Sequence, residues 1–326
     1  INFYERRARR ILPALFFVML ICVPFATLWF APNDLKIFGQ SIIAVSIFLS
    51  NILFWKNTGY FESSAELNPM LHTWSLAVEE QYYILFPVFL MLTWRLGVKW
   101  ILLLLLVAFF VSLSAAQWGA YNSSSFTFYM LPTRGWELLI GVFTAFYLNS
   151  DPYVKSKTIN QVLSLLGFSM IIYSIIAFDE TTPFPSLFTL IPTIGTALLI
   201  ISAVPTTLVN RLLINKPIVA IGLISYSAYL WHQPILAFAR YRYFGEISDL
   251  ILFSLCISAI VMAWFSWNFV EKPFRDKKRV SRNNIFSFFI ISVTLFSSIG
   301  FWLNQSDGRL SSYNFDDQRH FSSFFI

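Results

Sequence analysis

The segment LHTWSLAVEEQYY places three titratable side chains, His72, Glu79 and Glu80, beside long apolar stretches. Charged groups are expensive to bury in such surroundings, so they are candidates for chemistry. Asn68 and Pro69 predict a helix start, and His72 and Glu79 would then share one face, two turns apart. A histidine oriented by a carboxylate suits acid–base catalysis. The alternative is that the glutamates only stabilise the helix N-terminus.

A second candidate is LPTRGWELLIG, in which Arg134 and Glu137 are three residues apart. Side chains with this spacing meet on a helix surface. The pair is interpreted either as a structural ion pair or as a clamp that contacts substrate. The sequence therefore predicts that Arg134 and Glu137 form a pair and leaves its role open.

A third candidate is ISYSAYLWHQP, where His232 lies in an aromatic-rich apolar helix with Tyr226, Tyr229 and Trp231. A histidine in such a helix either packs in the core or faces a ligand. Several aromatic rings with polar tips in one short window are typical of a surface that faces a substrate. Tyr226, Trp231 and His232 are therefore predicted to line a substrate site, with core packing as the alternative.

Composition determines the class of protein. The 326 residues are 57% hydrophobic and 12% charged, whereas soluble domains carry about 25% charged residues. The sequence predicts an all-α, polytopic helical membrane bundle. Its net charge of +6 is concentrated in ERRARR and EKPFRDKKR, at the ends of apolar stretches, which favours topology signals over nucleic-acid binding. The two cysteines indicate neither a metal site nor a disulfide framework.

Apolar stretches of spanning length predict about nine crossing helices. They lie at 11–31, 38–54, 98–117, 136–148, 160–178, 187–204, 219–240, 249–270 and 285–303. A further helix at 76–94 is interpreted as re-entrant or in-plane, entered from the cytoplasm, because both basic clusters then face the cytoplasm. Residues 1–303 form the predicted membrane domain, and 304–326 form an external polar tail or linker.

Six segments, in this order, resemble the acyltransferase-3 family of bacterial membrane O-acyltransferases. They are FYERRARRILPAL, LSNILFWKNTGYF, LHTWSLAVEEQYYILFP, LPTRGWELLIG, ISYSAYLWHQP and NFVEKPFR. The resemblance is nearest to the branch that modifies surface polysaccharides, such as the O-antigen of lipopolysaccharide. It implies an O-acetyltransferase of the bacterial inner membrane that uses acetyl-CoA as donor and a glycan hydroxyl as acceptor, with no permanently bound cofactor and no metal.

The resemblance also implies missing parts. Family members begin with two further helices, and the first carries the principal catalytic histidine, which has no match in this sequence. His72, Glu79 and Glu80 are then supporting residues, and Arg134, Glu137, Tyr226, Trp231 and His232 contact substrate. The chain is expected to be an inactive fragment that lacks these helices and an external SGNH-type domain. The alternative function is a proton-coupled transporter or flippase that uses intramembrane histidine and glutamate.

Overall fold

The structure is a computed structural model that describes residues 2–57, 66–150, 156–243 and 247–306. Every regular element in these ranges is helical. The longer helices follow the apolar stretches, because a backbone surrounded by lipid must satisfy its hydrogen bonds internally. The predicted all-α membrane fold is therefore confirmed. Residues 58–61 and tail residues 307–326, which the sequence analysis also used, lie outside the described ranges.

The helices are named here in chain order. They are α1 (Asn2–Trp29), α2 (Pro32–Ser46), α3 (Ser50–Asn57), α4 (Thr73–Thr93), α5 (Val98–Asn122), α6 (Ser124–Tyr129), α7 (Leu131–Asn149), α8 (Lys157–Ala177), α9 (Leu190–Ser202), α10 (Leu208–Leu213), α11 (Lys216–Arg242), α12 (Asp249–Ser266), α13 (Lys272–Arg275) and α14 (Arg282–Gln305). A π-helical segment, Trp267–Glu271, joins α12 to α13.

Within the described ranges, 6 helical segments are long and apolar enough to cross a membrane, compared with the nine predicted. They are Asn2–Trp29, Thr73–Leu96, Val98–Asn122, Lys157–Ala177, Asp249–Arg275 and Arg282–Gln305. Five of the nine predicted spans are among these six, since Thr73–Leu96 was predicted as re-entrant. Of the other four, 38–54 and 187–204 fall short because α2 and α9 contain only 15 and 13 residues. The segment Thr73–Leu96 is long enough to span, so its predicted re-entrant character stays a prediction.

The predicted span 38–54 is broken into α2 and α3 at Phe48. This residue has a positive φ of 56°. The backbone N–H of Phe48 donates to Val45 (3.1 Å), and that of Leu49 donates to Ala44 (2.8 Å). This pattern is a Schellman motif, which ends a helix by satisfying its last carbonyl groups. Sequence reasoning missed the break because the left-handed position is occupied by phenylalanine instead of glycine.

The chain divides into two compact units, residues 1–77 with 221–326 and residues 78–220, called here the first and second unit. In the first unit, α2 packs along α14 where Gly39 and Gly300 face each other. A Cβ atom added to Gly300 would lie 2.5 Å from the carbonyl oxygen of Gly39. Glycine therefore permits the two backbones to touch.

In the second unit, α8 and α9 also pack closely through two facing glycines. A Cβ atom added to Gly167 would lie 2.6 Å from the carbonyl oxygen of Gly195. A second contact joins α5 to the start of α7, where the Ser112 hydroxyl donates to the carbonyl of Pro132 (2.6 Å) and accepts from the backbone N–H of Trp136 (3.1 Å). This serine fixes the helix that carries Arg134 and Glu137.

The two basic clusters meet at one end of the first unit, called here the basic end (residues 5–10 and 271–282). Nη1 of Arg9 donates to the carbonyl of Phe274 (3.1 Å), and Nε of Arg282 donates to the carboxylate of Glu5 (2.8 Å). The prediction that both clusters face the same side is therefore confirmed for this unit.

Candidate functional site

The helix that follows His72 begins later than the sequence predicts. α4 starts at Thr73, and His72 lies in the preceding turns. Oδ1 of Asn68 accepts from the backbone N–H of Met70 (2.9 Å), and the N–H of Leu71 donates to the Asn68 carbonyl (3.1 Å). Asn68 thus closes a local turn. The prediction that His72 and Glu79 share one helix face is wrong, because His72 is not on that helix.

The two glutamates and His72 also belong to different compact units of the chain. Glu79 and Glu80 belong to the second unit, whereas His72 belongs to the first. Glu79 is exposed and Glu80 is buried, with 8% of its surface accessible. Their supporting role therefore stays a prediction, independent of a helical pairing with His72.

His72 instead meets the third candidate segment. Its ring centroid lies 5.3 Å from that of His232 and 4.9 Å from that of Tyr229, edge-on in both cases. These three residues are called here the histidine face. His72 is buried, and neither of its ring nitrogens makes a hydrogen bond of normal geometry to a described residue. His232 is exposed. The sequence could not reveal this pairing, because the two histidines are far apart in the chain.

The hydrogen bonds of Tyr229 hold the histidine face together. Its hydroxyl donates to the backbone carbonyl of His72 (2.5 Å). The Ser75 hydroxyl lies 3.0 Å from the Tyr229 oxygen and 3.4 Å from the same His72 carbonyl. Nδ1 of His232 lies 2.6 Å from the carbonyl oxygen of Tyr229, one turn earlier on α11.

The position of the histidine face along α11 follows from two other contacts. The Tyr226 hydroxyl donates to the carbonyl of Ile11 (2.9 Å) near the basic end, and the Tyr241 hydroxyl accepts from the N–H of Ala31 (2.7 Å) at the far end of α1. At 1.5 Å per residue, His232 lies about 9 Å beyond Tyr226 and about 14 Å short of Tyr241. It is therefore well inside the length of the helices.

The chain reaches the histidine face from the end of the unit opposite the basic end. Glu66 pairs with Arg240 (2.7 Å), and Nε2 of Gln233 donates to the carbonyls of Glu66 (3.0 Å) and Asn68 (3.3 Å). These four residues are called here the polar strip. If the basic end is cytoplasmic, residues 66–72 approach from outside. The predicted cytoplasmic entry into this segment therefore disagrees with these contacts.

Two other predicted substrate residues have internal partners. Trp231 is buried, with 4% of its surface accessible, and its indole N–H donates to Ser266 (2.7 Å). Its ring also packs edge-on against Phe17. Trp231 therefore packs between helices and leaves almost no surface for a ligand, contrary to the sequence-based expectation. Tyr226 is partly accessible, although its hydroxyl proton is donated to Ile11.

The predicted Arg134–Glu137 pair is confirmed. Nε of Arg134 lies 3.4 Å from Oε2 of Glu137, and the guanidinium stacks 4.6 Å from the ring centroid of Phe184. Oε1 of Glu137 is buried without a hydrogen-bond partner among the described residues. Glu137 lines a cavity of about 270 Å³ between α7 and α9 that also includes Thr144, Thr193 and Thr196. Glu137 therefore combines an ion pair with a place in the cavity wall, beside threonine hydroxyl groups.

The acidic loop before Phe184 is shaped by its own hydrogen bonds. Asp179 accepts from the hydroxyl (2.7 Å) and the N–H (3.0 Å) of Thr181 and from the hydroxyl of Thr182 (3.2 Å). The Thr181 hydroxyl, followed by the other two donors, lowers the pKa of Asp179 below its ordinary value. The carboxylate is therefore a charged, internally bonded part of the loop.

Sequence reasoning assigned Glu271 only to the end of a helix, but the structure buries it completely. The π-helical segment places its carboxylate against the Ser227 hydroxyl, which donates to it, and Nη2 of Arg275 donates to it at 2.5 Å. The i, i+4 spacings of Glu271 with Arg275 and of Glu5 with Arg9 were the available signal. Burial was not visible in that spacing.

In the part of the chain that the structure describes, no group of three or more histidine, cysteine, aspartate or glutamate side chains is placed to hold a metal ion. The first unit places two imidazole rings together at the histidine face and gathers cationic side chains at the basic end.

Comparison with known proteins gives a consistent result. The family model described as an acyltransferase domain, acyltransferase-3, matches residues 1–268. O-acetyltransferase OatA of Staphylococcus aureus strain NCTC 8325 is 30% identical over 293 residues, which cover 85% of this chain and 48% of that protein. The protein named "Putative O-acetyltransferase SACOL0978" of S. aureus strain COL is 34% identical over 299 residues, with the same coverage of 85% and 48%. The chain spans about half the length of the curated relatives it matches. No solved structure matches it.

Proposed function

Since this chain belongs to the acyltransferase-3 family, we propose that its protein is a membrane O-acyltransferase that moves an acyl group from acyl-CoA to a glycan hydroxyl. The names of the relatives favour acetyl as the group transferred. A surface polysaccharide, such as O-antigen, is the proposed acceptor, and the bacterial inner membrane is the proposed location. The donor and the acceptor then lie on opposite sides of the membrane.

The observation that carries this proposal is the arrangement of the first unit. Its basic end and its histidine face lie along the same long helices, separated by part of a helix length. An anionic donor is attracted to the first, and two imidazole side chains are present at the second. A transfer reaction that begins on one side of a membrane and ends on the other needs both.

The basic end suits the phosphate groups of coenzyme A. Residues 5–10 and 271–282 hold ten arginine and lysine residues against three acidic ones. Arg6, Arg10, Lys277 and Lys278 are exposed. Arginine and lysine at a water-exposed end bind phosphate by charge and by hydrogen bonds.

We assign the acceptor to the second unit's cavity. Arg134 and Glu137 are the proposed substrate contacts, because Glu137 lines this cavity beside threonine hydroxyl groups and pairs with Arg134. Glu79 and Glu80 stay proposed supporting residues, and Tyr226 a proposed lining residue.

The test uses membranes from cells that express the protein from its native gene. They are incubated with radiolabelled acetyl-CoA and the cell's own surface glycan, and the glycan is then isolated. Alkali-labile label on the glycan is expected, because an O-acetyl ester is hydrolysed by base. Proton-coupled uptake without labelled glycan would contradict the proposal and favour a transporter.

The donor assignment is tested by the double variant Arg6→Gln, Lys277→Gln. Both side chains are exposed at the basic end, so their removal should weaken donor binding and leave the fold intact. The KM for acetyl-CoA is expected to rise about threefold to tenfold, with kcat little changed. Added salt should reduce the difference in KM between the double variant and the parent protein, because salt screens the attraction between the basic end and the donor.

Arg242→Gln is the matched control for that experiment. Arg242 lies at the opposite end of α11, with its guanidinium 5.9 Å from the ring centroid of Trp29. The KM of the Arg242→Gln protein for acetyl-CoA is expected to equal that of the parent protein. An equal rise in both proteins would mean that net charge, and not the basic end, sets donor affinity.

A further inference from the structure

The histidine face brings two imidazole rings together without a hydrogen bond between them. We propose that this face is a zinc-binding site, in which His72 and His232 each supply one imidazole ligand and Tyr229 positions them. All three residues belong to the first unit. No step of acyl transfer passes through the ion, so the inference stands apart from the proposed function.

The spacing of the two rings fits one tetrahedral ion. Zinc is usually bound by ligands at the corners of a tetrahedron, with bonds of about 2.0–2.1 Å to histidine nitrogen. Two imidazole rings on one such ion have their centroids about 5 Å apart. The centroids of His72 and His232 are 5.3 Å apart. The two rings therefore need almost no change in separation to share one zinc ion.

The two nitrogen atoms of His232 are arranged as in a metal ligand. Nδ1 lies 2.6 Å from the carbonyl oxygen of Tyr229, which can only accept, so Nδ1 carries the proton in the neutral ring. Nε2 then holds the free lone pair, and because His232 is exposed, an ion can approach the ring. Histidine ligands of metals almost always donate their other N–H to a carbonyl, a carboxylate or water in this way.

His72 supplies an independent indication of a ligand. Only 7% of its surface is accessible, and neither ring nitrogen makes a hydrogen bond of normal geometry to a described residue. The carbonyl of Pro69, three residues earlier, interacts weakly with this ring, in the same i−3 relation that Tyr229 has to His232. A buried nitrogen without a full hydrogen bond costs free energy, and a bound ion is one way to recover it. Zinc at His72 would therefore replace no hydrogen bond of normal geometry among the described residues.

The two histidines are held close together by contacts that do not involve an ion. The Tyr229 hydroxyl donates to the backbone carbonyl of His72 (2.5 Å). The polar strip joins the residues before His72 to α11 through Gln233 and Arg240. Since this arrangement exists before an ion binds, little conformational order has to be gained on binding, which favours affinity.

The chemistry of the ligands selects the ion. Imidazole nitrogen suits zinc and neighbouring transition metals, whereas magnesium and calcium prefer oxygen ligands. A pair of protein ligands is fewer than the three of a catalytic zinc site or the four of a structural one. Water would fill the remaining positions, so the ion should exchange with the medium. The site is therefore a reversible clamp between α11 and the turns before α4.

The test measures zinc binding by the protein expressed from its native gene and purified in detergent micelles without a polyhistidine tag. Every sample carries Cys256→Ser, because an exposed thiol is itself a zinc ligand. Loss of an outer partner of a metal ligand typically costs about 10- to 100-fold in affinity, so His72→Ala and His232→Ala should each raise the Kd for zinc at least about tenfold. The double variant should lose less than the sum of both effects, because the two residues bind one ion. His320→Ala, at the third histidine of the sequence, is the control and should keep the parent Kd.

Stability separates the loss of a ligand from the loss of the fold. SDS titration in mixed micelles is carried out with EDTA, with zinc and with magnesium. Zinc should raise the SDS fraction at which the parent unfolds, because an ion that binds only the folded protein stabilises it, and magnesium should not. The two single variants should unfold in EDTA near the parent midpoint and gain nothing from zinc.

X-ray absorption at the zinc edge decides the matter on the parent protein alone, whether or not a variant folds. Two imidazole nitrogens at about 2.0–2.1 Å from zinc are expected. A spectrum without imidazole, an unchanged Kd in either single variant, additive losses in the double variant, or an equal loss in His320→Ala would each overturn the inference. Acyl transfer is not measured, so failure of the proposed function leaves this result unaffected.

Discussion

Replacing Glu271 by alanine is expected to lower the free energy of unfolding of the first unit by about 2 to 4 kcal/mol. The carboxylate is fully buried and receives hydrogen bonds from Ser227 and Arg275. Its loss removes two charge-assisted bonds and leaves the buried Ser227 hydroxyl without its acceptor. Titration of the purified protein with SDS in mixed micelles, followed by tryptophan fluorescence, measures the change.

Glu66→Ala is the matched control, since Glu66 also pairs with an arginine in the first unit. Its pair with Arg240 is 2.7 Å long but exposed, with 67% of the glutamate side chain accessible. The expected change is below about 1 kcal/mol. Equal losses for the two variants would show that burial does not determine the contribution of these ion pairs.

Gly300→Ala is expected to destabilise the first unit by about 1 to 3 kcal/mol, although alanine is the better helix former. The new Cβ atom would lie 2.5 Å from the carbonyl oxygen of Gly39 and 2.6 Å from Cγ1 of Ile43. Neither distance is tolerable, and the first involves the backbone, so α2 and α14 must move apart. The same SDS titration reports the loss.

Gly222→Ala, in the same unit, is expected to stabilise the protein instead of destabilising it. A Cβ atom at Gly222 meets no atom within 4 Å. Alanine should therefore raise the free energy of unfolding by up to about 1 kcal/mol through helix propensity alone. A destabilised Gly222→Ala, or a neutral Gly300→Ala, would contradict the view that close backbone approach is what requires glycine.

Local features of the sequence predicted much of this fold. Apolar stretches located most of the long helices, and the i, i+3 spacing of Arg134 and Glu137 predicted a pair that forms. The two basic clusters were correctly expected at a common side. Each of these inferences depends on residues close in the chain or on the distribution of charge between apolar stretches.

Features that depend on distant contacts were not predictable. The pairing of His72 with His232 and the burial of Trp231 depend on where α11 packs, which no local pattern encodes. The helix start at Thr73 was missed because Asn68 forms a turn with Met70 and also donates to Ser41 (2.7 Å). The Asn68 side chain therefore forms a turn and a tertiary hydrogen bond, and the helix begins five residues later than the sequence predicted.

The contact between Gly39 and Gly300 has a consequence for synthesis of the protein. These residues are separated by most of the described chain, so α2 emerges from the ribosome long before α14 exists. At about 5 to 20 residues per second, the delay is on the order of ten to fifty seconds. During that time a helix too short to span alone must be sheltered by α1, by lipid or by the insertion machinery. A ribosome that stalls before α14 would therefore release a chain whose α2 lacks this partner, a clear target for membrane quality control.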